Sequence, residues 1–333
     1  MCTGISYEST DNQEFFGRTQ EYNLEYDYVL AQFPRDYVVD ISASKWKTKY
    51  SVIGVSARID HQLMPTVLDG LNEFGLACST QYFAEDNIYN TMDEIIEEGK
   101  SPVYAEQFIF YILSMCKDID DVKQILKSVA IPNSSIVQKT GLPQHFFIKD
   151  GSGRSIVVEP SIAAEFGFNV YENKIGVMTN SPSFDWQVTN LKNYTGLTTK
   201  FQNDLQLNNT TIKSLGKSSG LIGLPGDYTA PSRFVKATTL LNFSEKTDSN
   251  NSINLGFHIL SMSDIPKGVV ICADGTSEYT QYTSLYNQTK RELYIKLYDN
   301  LDVQKITFSD EYANNSEPKI YELVKESHYK ELK

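Results

Sequence analysis

The sequence predicts an α+β fold in which sheets pack together and helices cover them on the outside. Three observations carry that expectation. The chain opens on two short strand-like runs around a polar turn. Helix-like runs then fill much of its middle. It closes on a tyrosine-rich stretch that again reads as strand. With 333 residues, of which 41% are apolar, there is ample material for a large core. Length alone allows about two domains, but no repeat, low-complexity tract or long linker marks a boundary.

Taken in order, CTGISYES and EFFGRTQ read as strands flanking the turn TDNQ. SVIGVSARI and FGLACSTQYF read as further strands, with a turn expected between them at Asp69-Gly70. SPVYAEQFIFYILSMC reads as a helix capped by Ser101, with Pro102 in its first turn and apolar residues too dense for an exposed face. DIDDVKQILKSVA is a more amphipathic helix with acidic residues near its start. HFFIKDGSGRSIVVEP is a hairpin about a GSG turn, and KIGVMTNSP is a strand entering a turn. SFDWQVTNLKNY, the stretch from Pro231 to Phe243 and the stretch from Gly256 to Ser263 read as helical. The run from Tyr279 to Ile306 completes the strands.

Composition narrows the function classes. A net charge of −12 and a pI near 4.9 make nucleic acid and anionic membranes poor partners. No stretch approaches the roughly 20 apolar residues of a membrane-spanning helix, and STDNQEFFGRTQ is not the apolar core of a secretory signal. The four cysteines (Cys2, Cys78, Cys116, Cys272) form no CxxC pair, which fits a reducing cytoplasm. The four histidines show no metal-ligand spacing either.

The chemistry centres on Cys2. If Met1 is removed, this residue carries a thiol and a free α-amine, a nucleophile and a base in one residue. GRTQEY places Arg18 and Glu21 after the second strand, where a hairpin brings them beside Cys2. An isolated Arg and Glu usually form a surface ion pair, but a buried cation beside a thiol favours the thiolate. A carboxylate there can orient the α-ammonium. Asn180 lies at a strand end before Ser-Pro, where its amide can point into a site or merely shape a turn. Arg233 falls near the start of a helix, where a cation is slightly unfavourable and a specific partner is therefore implied. SSGLIGLPGDYTAPSRF is glycine-rich but lacks the GxxxxGK[ST] spacing of a phosphate loop.

Together, MCTG, FFGRTQEY, RSIVVEP, GVMTNSPSFDWQVTNL and GLIGLPGDYTAPSRF resemble the choloylglycine hydrolases, a family that includes bile salt hydrolases and penicillin V acylases. The resemblance runs over nearly the whole chain. It implies a four-layer αββα sandwich of the N-terminal-nucleophile type with antiparallel sheets. It also implies one domain over residues 1–333, a nucleophilic Cys2 exposed by loss of Met1, no cofactor or metal, and a homotetramer. The substrate would be a small anionic molecule with a linear amide. Arg18, Asn180 and Arg233 match residues of the family's motifs. Glu21 stands where the family's GRxxD pattern has aspartate, which lengthens the tether by one methylene. The Tyr82 backbone N–H and the Asn180 side chain would hold the oxyanion. Tyr82 itself occupies a position where many bile salt hydrolases carry asparagine and penicillin V acylases often carry tyrosine. On Tyr82 and Glu21 the expected substrate is penicillin V. Conjugated bile salts are the alternative, N-acyl homoserine lactones a third substrate, and a non-catalytic ligand-binding relative the reading from another class.

Overall fold

Paired strand-like runs at the two ends of the chain meet in one sheet. The structure, a computed structural model, describes residues 1–41, 44–84, 87, 89–136, 141–161 and 167–332. Cys2–Glu8 (β1) and Glu14–Tyr22 (β2) form the predicted hairpin, with Cys2 opposite Gln20 and Gly4 opposite Arg18. Asp27–Phe33 (β3), Val52–Ile59 (β4), Asp69–Asn72 (β5) and Ala77–Tyr82 (β6) follow. Gln144–Lys149 (β7) and Ser155–Ser161 (β8) are the hairpin about GSG, and Gly167–Glu172 (β9) and Val177–Met178 (β10) come next. Ser277–Asn287 (β11), Glu292–Leu297 (β12), Gln304–Thr307 (β13) and Lys319–Tyr321 (β14) complete the large sheets.

The first sheet runs β10-β1-β2-β11-β12-β13, and the second runs β9-β8-β7-β6-β5-β4-β3-β14. Each gains one short strand off this path, giving seven and nine strands. Among the described residues every pairing along these two paths is antiparallel. The helices are Met92–Glu97 (α1), Ala105–Met115 (α2), Ile119–Ile125 (α3), Phe184–Asn190 (α4), Ala230–Phe243 (α5) and Ser249–Ser261 (α6). α5 and α6 pack on the first sheet and α2 on the second, so the layers read αββα.

Both faces of the central strands are covered, which is why β4 (VIGVSARI) and β8 (SIVVEPS) carry consecutive buried residues rather than an alternating pattern. On β7, Phe147 turns inward and meets Phe16 of β2 with ring centroids 5.0 Å apart. Phe146 and Ile148 turn outward into a second cluster with Phe108 and Ile112 of α2. Removing a buried ring such as Phe147 would cost about 3–5 kcal/mol.

Three expectations are corrected here. Asp69-Gly70 is not a turn: Asp69 opens β5, and Gly70 lies opposite Gly54 on β4. A Cβ on Gly70 would sit 2.7 Å from the Ile53 carbonyl oxygen, so glycine serves close strand approach here. The turn comes three residues later. Gly75 takes φ +78° there, and the Asn72 side chain accepts from the N–H groups of Phe74 and Leu76. Ser101 and Pro102 likewise do not start α2. They form a two-residue strand paired in parallel with Val129–Ala130, and α2 begins only after Tyr104. α3 likewise ends at Ile125, short of the expected Ala130, which lies in that parallel pair. Asp118 does cap α3, accepting from the N–H groups of Asp120 and Asp121.

Candidate active site

Cys2 is the first residue of a buried strand, and its two ends are held from different layers. Along β2, Phe16, Arg18 and Gln20 share a face by the two-residue period. Phe16 packs into the space between the sheets, and Arg18 points there too, fully buried. Its Nη2 donates to Cys2 Sγ at 2.8 Å. Its Nε donates to Thr19 O at 3.1 Å, and its Nη1 reaches Leu68 O at 3.5 Å. Gly17 makes room for this strand, since a Cβ there would lie 2.8 Å from Ser284 O on β11.

The backbone of Cys2 is held from the helix layer. Arg233, in the first turns of α5, is also fully buried. Its Nη1 donates to Cys2 O and, at 2.8 Å, to Thr3 Oγ1; Nη2 donates to Asn180 Oδ1 at 2.6 Å, and Nε to Tyr228 O at 2.8 Å. Cys2 N–H donates to the same Asn180 Oδ1 at 2.8 Å. Asn180 Nδ2 donates one hydrogen to Tyr82 O at 2.8 Å, and an amide nitrogen has a second to give. On the other edge of that strand, Phe83 N–H donates to Pro143 O. The Tyr82 N–H therefore faces the same side as its carbonyl, toward Asn180. The sequence-predicted Cys2, Arg18, Asn180, Arg233 and Tyr82 backbone are thus one constellation.

Glu21 is buried beside them. Thr280 Oγ1 donates to its Oε1 at 2.8 Å, while its Oε2 has no hydrogen-bond partner among the described residues. Burial pushes its carboxyl up, opposed by Arg233 and the chain's amino group. Met1 is in place, so Cys2 N is a peptide N–H. The Met1 ammonium contacts a carboxylate oxygen of Glu278 and donates to Glu21 O at 3.2 Å. Burial pulls this amine below its ordinary value, against the pull of Cys2 and Glu21.

Asp69 was missed as a site residue, because the Asp-Gly pair reads as a turn. It is fully buried and stands 3.6 Å from Arg18 Nη1. A cleft opens beside Cys2, lined by apolar groups that include Tyr26, Ile59, Met64, Leu68, Leu142 and Pro143. Glu21 and Glu106 are its acidic members, and no Lys, Arg or His lines it among the described residues. The described residues also hold no cluster of potential metal ligands.

A thiol under a guanidinium, with an amide side chain and a backbone N–H beside it, is the equipment of acyl transfer. Set between two antiparallel sheets walled by helices, it defines the class as an amide hydrolase. The profile described as "Linear amide C-N hydrolases, choloylglycine hydrolase family" matches residues 2–321, and the chain belongs to that family. It is 34% identical to the bile salt hydrolase/transferase of Clostridium perfringens over 98% of both chains. It is 31% identical to that of Lactiplantibacillus plantarum over 99% of both. The C2A variant of conjugated bile acid hydrolase from Clostridium perfringens superposes with a TM-score of 0.90 over the full length of both chains, at 30% identity. Penicillin V acylase of Agrobacterium tumefaciens, at 20% identity and TM-score 0.75, shares the fold. The chain is therefore a hydrolase acting on linear amide C–N bonds, with the αββα fold of the N-terminal-nucleophile type.

Proposed function

We propose that the chain hydrolyses conjugated bile salts, releasing glycine or taurine. The similarity carries this reading: bile salt hydrolases match end to end at up to 34% identity. The penicillin V acylase of Pectobacterium atrosepticum matches 71% of the chain at 26%. The expectation of penicillin V, drawn from Tyr82 and Glu21, thus gives way to its alternative. Neither of those two signals weighs heavily against it. The Tyr82 side chain is about half exposed (49%) at the cleft, and the oxyanion role proposed for this residue uses a backbone N–H that any residue would supply. Glu21 preserves the charge that aspartate would bring. The apolar cleft suits a bulky acyl group, and the anionic amine portion would lie toward solvent.

In the proposed reaction, loss of Met1 turns Cys2 N into an α-amine beside Asn180 Oδ1. The α-amine takes the proton of the Cys2 thiol, and the thiolate so formed, held by Arg18, adds to the amide carbonyl. The Tyr82 N–H and the spare hydrogen on Asn180 Nδ2 stabilise the oxyanion. The α-ammonium passes that proton to the departing amine as the C–N bond breaks, leaving a thioester and a neutral α-amine. Water, deprotonated by the same amine, attacks the thioester, and the acid leaves as the thiol is restored. The Glu21 carboxylate tethers the α-ammonium formed along the way. We also propose that residues 1–333 act as one domain, in the cytoplasm, as a homotetramer; a monomeric mass by light scattering would remove the last point.

Amine release tests the reading. Glycocholate, taurocholate and penicillin V are offered side by side, with intact mass confirming loss of Met1. Preference for the bile salts is expected, and preference for penicillin V would reverse the assignment. Cys2→Ala should abolish turnover with the fold retained.

A further inference from the structure

Asp69 sits on β5 of the second sheet, yet every strong partner of its carboxylate belongs to the first. Tyr282 OH donates to Oδ2 at 2.5 Å, Ser284 Oγ donates to Oδ1 at 2.7 Å, and Tyr286 OH also donates to Oδ1. These three hydroxyls come from alternate residues of β11, so one face of one strand delivers them together. Burial and the adjacent Asp69 charge push both tyrosines well above their ordinary values, which keeps them protonated donors. The remaining neighbour is Arg18, whose Nη1 meets both Asp69 Oδ2 and the carbonyl of Leu68, the residue before it.

The cost of this arrangement argues for a purpose. Asp69 and Arg18 are both fully buried, and a buried ion pair is seldom more stable than apolar residues of similar size. Packing alone would not call for three hydroxyls around the carboxylate. The pair also lies one guanidinium away from the thiol: Nη1 faces Asp69 while Nη2 faces Cys2 Sγ. The guanidinium is planar and rigid, so fixing Nη1 fixes Nη2.

We propose that Asp69 is a positioning residue for the hydrolysis. Clamped by Tyr282, Ser284 and Tyr286, it holds the Arg18 guanidinium in register with the Cys2 thiol across the gap between the sheets. The inference rests on the reading of Cys2 as nucleophile. Asp69 touches neither the cleft nor the oxyanion donors, so its loss acts on the chemical step and leaves substrate binding in place.

The test is Asp69→Asn in the processed chain, with kcat and KM measured on glycocholate and normalised to the Cys2 thiol, titrated with iodoacetamide and read at the Cys2 peptide by mass because Cys272 is also free. The expected result is a fall in kcat of at least about tenfold with KM within about threefold, since a misplacement near 1 Å can cost ~100-fold. Tyr286→Phe keeps the ring and removes one donor to Oδ1, and should lower kcat in the same direction by less. A merely structural Asp69 would lower the melting temperature and leave kcat per titrated thiol unchanged, which overturns the proposal. If Asp69→Asn does not fold, Tyr286→Phe and Ser284→Ala decide it, and unchanged kcat in both overturns it equally. Failure of the Cys2 reading shows separately, as turnover by Cys2→Ala.

Discussion

Arg18 and Arg233 are both fully buried and both touch Cys2, yet they are held in opposite ways. Arg18 reaches the thiol from between the sheets and has a carboxylate, Asp69, within 3.6 Å. Burial works against its charge, but Cys2 and Asp69 hold its pKa above the ordinary arginine value. Arg233 reaches the backbone of Cys2 from the helix layer and bonds only neutral oxygens. Burial pulls its pKa down, with Glu21 and Cys2 opposing. One guanidinium is matched to a charge and serves the reacting atom. The other is matched to four neutral acceptors and serves the frame around it. Position on Cys2, rather than residue type, therefore decides what each arginine does.

The comparison is broken most severely at the thiol. Arg18→Leu should lower kcat by ~100–1,000-fold, the scale seen when one donor aimed at developing charge is lost. Its KM should change far less, because Arg18 does not line the cleft. A kcat within threefold of the parent would show that Arg18 is structural. Arg233→Leu should behave differently. It leaves Cys2 O, Tyr228 O and Asn180 Oδ1 without a donor they now have, at ~1–3 kcal/mol for each buried group left unpaired. Loss of stability should accompany loss of kcat, read by urea unfolding and turnover on one preparation. Lost activity with an unchanged urea midpoint would assign Arg233 to the chemistry itself.

Glu21 sharpens the contrast, because it is the carboxylate that Arg233 does not touch directly. Burial raises its folded pKa. The stability it contributes is thus complete below the ordinary glutamate value of ~4.3 and is lost as pH rises through the folded value. Above the ordinary glutamate value, this buried carboxyl therefore costs the fold stability. Glu21→Gln should therefore flatten the dependence of melting temperature on pH above ~4.3 and hold or raise stability at pH 7. It should also lower kcat about tenfold if Glu21 tethers the α-amine. A gain in stability with undiminished kcat would separate Glu21 from the reaction.

What the sequence disclosed about this site follows from how local each signal is. Cys2, Arg18 and Glu21 sit on one hairpin, and the spacing of two strands about TDNQ was enough to bring them together. Asn180 and Arg233 were legible as oddities, an amide at a strand end and a cation in the first turns of a helix. Asp69 was not, because Asp-Gly is a turn signal and only the pairing of Gly70 with Gly54 turns it into strand. Its partners Tyr282, Ser284 and Tyr286 lie more than 200 residues away and could be joined to it only by the packing of the two sheets. Ser101-Pro102 failed for a related reason. Its helix-start chemistry is real, but pairing with Val129–Ala130 claims those backbone groups first.

The smallest expected effect lies at the base of the Arg233 arm. Asp227, just before α5, accepts from Thr229 N–H at 2.9 Å, Thr229 Oγ1 at 2.6 Å and Ser232 Oγ at 2.7 Å. These bonds, the two hydroxyls foremost, lower its carboxyl to about 2. A depressed carboxylate contributes stability above its unfolded value of ~3.9 and loses it as pH falls through the folded one. Asp227 should thus help anchor the start of α5 at neutral pH and release it between about pH 4 and 2. Asp227→Asn should remove that part of the acid dependence. The parent's melting temperature should fall more steeply than the variant's across that window, and the two should differ by a constant amount above it. Because Asp227 is exposed, the difference will be small and will shrink in salt. Parallel curves through the window would show that the Asp227 charge does not anchor the start of α5.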